Sequence, residues 1–115
     1  MANTKRRIAG PAAIASSATN IYTPPASTII TYIYQIHIVN RTAAAVTFTL
    51  YVGATGGSAS GTEISGLSHS VAGASEFDMY FPSGLPLKST DFLTGIASAA
   101  TSLTITVIGE DKTVD

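Results

Sequence analysis

Apolar side chains recur at every second position through two runs near the middle of the chain. In residues 29–39, Ile30, Tyr32, Tyr34, Ile36 and Ile38 share one face, with Thr31, Gln35 and His37 among those on the other. In residues 46–52, Val46, Phe48, Leu50 and Val52 alternate with Thr47, Thr49 and Tyr51. Successive side chains on a strand point to opposite faces, so each run lays one apolar wall against a core. The residues between them, 40–45, read as a hairpin loop joining the two strands.

The same rhythm returns in shorter pieces. Ile21, Tyr22 and Thr23 form a brief strand that Pro24 and Pro25 close, since proline lacks the N–H that a sheet ladder needs. Residues 53–61 are Gly, Ser, Ala and Thr and predict an exposed loop. A brief strand at 63–67 and a connection at 69–73 follow. In residues 76–81, Phe77, Met79 and Phe81 point inward and Glu76, Asp78 and Tyr80 outward; 82–86 carries turn chemistry. Two more strands end the chain, 91–97 and one that buries Leu103, Ile105 and Val107. There is neither an amphipathic helical stretch nor an internal repeat. Short strands punctuated by Gly and Pro predict an all-β, single-domain antiparallel β-sandwich, jelly-roll-like, over residues 21–115. Residues 1–20 show no strand rhythm and predict an extended N-terminal arm.

Composition adds an assembly argument. Of 115 residues, 11% are charged and the net charge is −1, against about 25% charged in ordinary soluble domains. Small domains have much surface per volume, and interface centres are depleted in charge, so part of this surface is expected to meet other protein. Several outward positions are themselves apolar, including Ile33, Phe92, Ile96 and Ile108. Lys5, Arg6 and Arg7 form the one basic cluster, in the arm. These observations make Lys5, Arg6, Arg7, Ile33, Phe92 and Ile96 the candidate protein-interface residues of a homo-oligomer. The basic residues are too few and too scattered for a nucleic-acid partner. No segment reaches the roughly 18 apolar residues of a membrane span, and the N-terminus is too weakly apolar for a signal peptide.

Candidate chemistry is sparse. With no cysteine, neither a disulfide framework nor a thiolate metal site is available. His37 sits on a strand among apolar residues and His69 in a Ser-rich connection, expected to be exposed. Zinc needs three or four converging N, S or O donors, and neither histidine has a His or Cys mate at helical spacing, so no metal or cofactor is expected. Residues 56–61 match neither a nucleophile elbow nor a phosphate loop. Glu76 and Asp78, two apart on one strand face, could serve a cation or acid–base work, but such pairs are commonly the solvated side of an amphipathic strand. Asn40, Arg41 and Thr42 satisfy the glycosylation sequon, for which a turn role of Asn40 is the better account. Tyr51 and Tyr80 are the outward tyrosines available to a carbohydrate platform. No catalytic residue is assigned.

The order of elements resembles a family of small β-sandwich structural proteins from the virions of tailed bacteriophages. The motifs are Tyr22-Thr23-Pro24-Pro25, the strand ending Asn40-Arg41-Thr42, residues 46–52 (Val-Thr-Phe-Thr-Leu-Tyr-Val) and residues 91–98 (Asp-Phe-Leu-Thr-Gly-Ile-Ala-Ser). The pattern spans residues 21–110, and Pro25 departs from the family's single proline. The resemblance implies a non-enzymatic capsid decoration or cement protein, commonly trimeric, bound to the major capsid protein or other virion proteins and assembled in the host cytoplasm. Its arm would lash it to neighbouring subunits. A neck, tail or fibre module, or a small carbohydrate-binding sandwich, are the alternatives.

Overall fold

A computed structural model describes residues 5–54 and 62–113. Its strands are β1 (Arg6–Ala13), β2 (Thr19–Tyr22), β3 (Ile29–Asn40), β4 (Val46–Gly53), β5 (His69–Val71), β6 (Glu76–Leu87), β7 (Phe92–Ala97) and β8 (Leu103–Thr113). They form two antiparallel sheets, ordered β1-β8-β3-β6 and β2-β7-β4-β5. The pairs β1–β8, β2–β7, β3–β6 and β4–β5 are those of one long antiparallel ribbon folded back on itself. Contacts of β3 with β8 and of β4 with β7 wrap that ribbon into two facing layers. This is the jelly roll anticipated from the short-strand pattern.

The core lies between the layers. Ile36 and Ile38 from β3 and Leu103, Ile105 and Val107 from β8 face Phe48 and Leu50 from β4 and Leu93 from β7, all with at most 1% of their surface exposed. The alternation of residues 46–52 and 103–107 is therefore real and buries the side chains it predicts. The outermost apolar pair of β4 departs from it, since Tyr51 is buried while Val52 is only half-buried.

Three expectations change. The first concerns residues 1–20. Those from Arg6 to Ala13 are an edge strand laid along β8, and Thr19–Tyr22 is an edge strand on β7. Between them Ile14 is buried, its N–H donating to Leu103 O of one sheet, and Ala15 O accepts from Ala97 N of the other. Gly10 permits the close approach: its φ of 76° favours glycine, and a β-carbon there would collide with the Ile105 carbonyl. The described part of the expected arm is thus built into the sandwich.

The second concerns the hairpin. β3 and β4 are not partners but belong to opposite sheets, so residues 41–45 cross between layers. Asn40 organises the crossing. Its Nδ2 donates to Ala44 O and Val71 O, and its Oδ1 accepts from the N–H and the hydroxyl of Thr42. At 1% exposure it has the expected turn role, an Asx turn, and its amide is enclosed.

The third is the face of β3. Along β8, Gln35 is opposite Ile108 and Ile33 opposite Gly109, so Tyr34 is an extra residue. Along β6, residues 81–84 bulge opposite it, between Tyr80 and Leu85. A bulge shifts the side-chain parity. Ile36 and Ile38 point inward as expected, but in the first half of the strand Thr31 and Ile33 are the buried residues. Ile33, expected outside, has 0% exposure. The expected turn at 82–86 lies within β6, an edge strand that tolerates its prolines. The expected strand at 63–67 contributes one bridge, Tyr51 to Glu63, and the expected connection at 69–73 contains β5. Most of the Gly/Ser loop, residues 55–61, lies outside the described residues.

Candidate functional site

The richest polar surface is the outer face of the first sheet, where β3 runs between edge strand β6 and β8. Because Ile36 and Ile38 point inward, Gln35, His37 and Val39 point outward; because Phe77 and Met79 pack against the core, Glu76, Asp78 and Tyr80 do likewise. Register then sets three rungs across the face: Glu76–Val39–Thr104, Asp78–His37–Thr106 and Tyr80–Gln35–Ile108.

The middle rung carries the chemistry. The Asp78 carboxylate accepts from His37 Nδ1 at 2.6 Å and from Gln35 Nε2 at 3.0 Å. His37 Nε2 lies 3.7 Å from Glu76 Oε2. The His37 hydrogen bond holds the Asp78 carboxyl below its ordinary value against desolvation, which acts the other way; Gln35 assists. One donor atom from each of His37, Glu76 and Asp78 lies within 4.8 Å of the others. The pairing of Glu76 with Asp78 is visible in the sequence, but His37 joins them only through the β3–β6 register.

A second polar cluster ties the sheets together at one end. Asp111 Oδ1 accepts from the Tyr22 hydroxyl at 2.7 Å and the Thr31 hydroxyl at 2.6 Å, and its Oδ2 accepts from Arg6 at 2.9 Å. Burial, and then the hydrogen bond to Asp111, raise the Tyr22 phenol above its ordinary value. Four strands thus meet on one carboxylate.

The expected interface residues do not converge. Lys5 sits with its Nζ 4.3 Å from the centre of the Tyr34 ring, Arg6 is ion-paired with Asp111, and Arg7 is exposed on β1 opposite Ile108. Ile33 is in the core and is no part of an exterior face, because the bulge at Tyr34 turned it inward. Phe92 and Ile96 alternate with buried Leu93, Gly95 and Ala97 and lie half-buried on the opposite sheet. Beside Ile96, Thr47, Thr49, Ser68 and Ser98 line a shallow depression.

Other candidates are placed less chemically. His69, expected to be exposed, is half-buried, with its ring 4.2 Å from that of Phe77 and 5.4 Å from that of Phe48, centre to centre. Tyr51 is buried, while Tyr80 is 66% exposed, so the pair offers no shared carbohydrate platform.

No family model matches this sequence, and no curated protein matches it. Among solved structures, one from work on Bacillus endospore appendages, described as a novel family of disulfide-linked pili, aligns with 98% of this chain and 89% of that one. The TM-score is 0.54 and the identity 19%. At that identity the likeness is one of fold. Nothing in the comparisons supports a bacteriophage origin.

Proposed function

We propose that this chain is a non-enzymatic structural subunit that packs against copies of itself to build an extracellular, pilus-like polymer. The observation that carries the reading is the jelly roll, alike over nearly the whole chain to a structure from work on appendages described as pili. The low charge supports it, since the centres of protein interfaces are depleted in charged residues. The appendages are described as disulfide-linked; with no cysteine, copies of this chain join without such links. Phe92 and Ile96 on the second sheet, and Lys5 and Arg7 at the edge of the first, are the interface positions this reading retains.

The jelly roll also builds viral capsid domains, so a trimeric capsid cement block is the second reading. Its lashing mechanism is weakened where Arg6 to Ala13 are already paired with β8. Sedimentation and electron microscopy of the purified full chain test both. Filaments support the polymer, a closed trimer without filaments supports the cement block, and a monomer at all concentrations overturns both. The double variant F92A/I96A is expected to lower assembly while keeping a cooperative thermal transition.

A further inference from the structure

The outer-face cluster on β3 and β6 is built like a ligand set around an imidazole. We propose that His37, Asp78 and Glu76 bind one divalent transition-metal ion of the zinc class. Imidazole with two carboxylates suits Zn²⁺, Co²⁺ or Ni²⁺, whereas Mg²⁺ and Ca²⁺ prefer all-oxygen shells.

The geometry needs one turn of the His37 ring, which shows Nδ1 to Asp78 and Nε2 to Glu76. Two donors, each about 2.0–2.2 Å from a tetrahedral ion, lie roughly 3.4 Å apart, and His37 Nε2 is 3.7 Å from Glu76 Oε2. The His37 ring is one-third exposed, with 32% of its side-chain surface open, so it is free to turn one nitrogen between the carboxylates. That nitrogen binds the ion unprotonated while the ring's single proton stays on the other, so the Nδ1–Asp78 hydrogen bond, at 2.6 Å too short to hold an ion between its ends, opens as the ring turns. Gln35, already donating to Asp78, keeps that carboxylate oriented as the ligand changes partner.

The scaffold favours binding as well. His37 and Asp78 are directly opposed on paired strands, and Glu76 is two residues from Asp78 on the same face. Donors fixed to a continuous sheet lose little freedom on binding, unlike donors on a loop. Glu76 is 61% exposed at a free sheet edge, so ions reach the site from solvent and water fills the remaining positions.

The site is tested by calorimetric titration of the full chain with Zn²⁺, and by the visible absorption of Co²⁺, in a non-coordinating buffer at neutral pH. The expected result is one Zn²⁺ per chain with no uptake of Mg²⁺, and affinity at least about 10-fold lower in H37A, D78N and E76Q. E76Q alters an exposed edge residue and keeps the fold, as an unchanged cooperative melt in the absence of metal verifies. Absence of Zn²⁺ uptake, or uptake that H37A and E76Q leave unchanged, overturns the proposal. Uptake is read on single chains and does not depend on polymerisation, so failure here leaves the assembly reading intact.

Discussion

Ile33 is the residue whose role changed most between sequence and structure. Periodicity puts it outside; the structure buries it completely between the sheets. Ile33→Ala is therefore expected to act on folding, lowering stability by about 2–5 kcal/mol in urea denaturation. A loss below 0.5 kcal/mol, roughly what an exposed site gives, would contradict its burial. Tyr22 supplies a pH prediction. Its phenol is raised in the fold, so the native state holds its proton more tightly than the unfolded chain does. The resulting stabilisation is complete below the ordinary phenol value of 10.0 and fades as pH rises through the raised value. Tyr22→Phe is expected to flatten that alkaline loss of stability, measured as melting temperature from pH 9 to pH 11. Asn40 was read correctly as a turn residue from the sequence alone, because an Asx turn is a local event. His37 was not legible as a ligand, because its carboxylate neighbours stand about 40 residues away.

At the scale of elements, most strands were legible, β1 and β5 excepted, and their partners were not. Val46, Phe48 and Leu50 on β4 and Leu103, Ile105 and Val107 on β8 are buried as their alternation reads, because a strand buried on one face writes its period into the sequence. β3 shows the limit. Its apolar residues run on through Tyr34, and only pairing with β8 and β6 reveals that one of them is a bulge. Deleting Tyr34 removes that extra residue and leaves Thr31 and Ile33 facing inward, whereas inserting one alanine between Gln35 and Ile36 is expected to turn them outward and abolish the cooperative transition seen by circular dichroism. Tyr34→Ala keeps the chain length and is expected to cost far less, no more than about 2 kcal/mol for the lost hydrogen bond to Glu110 and the contact with Lys5. β1 gives the companion test. Removing residues 1–13 strips an edge strand from β8 rather than a free arm, so reduced stability and aggregation through the exposed β8 edge are expected, measured by melting and light scattering.

For the whole molecule, the absence of cysteine gives an assembly prediction: the mass of any oligomer is expected to be the same with and without a thiol reductant, by sedimentation. A reductant-dependent mass would be incompatible with this composition. The sequence by itself determined the all-β class, the positions of most strands, the sandwich and the charge-poor surface, since these follow from local alternation, turn residues and composition. Tertiary structure alone decided that 6–13 is a strand, that β3 and β4 lie in opposite layers, that Ile33 is core, and that His37 meets Asp78 and Glu76. The physical reason is the same in each case. A jelly roll pairs its first strand with its last and its third with its sixth, so its register is set by contacts between distant segments, and a period-2 pattern carries no record of which strand lies alongside.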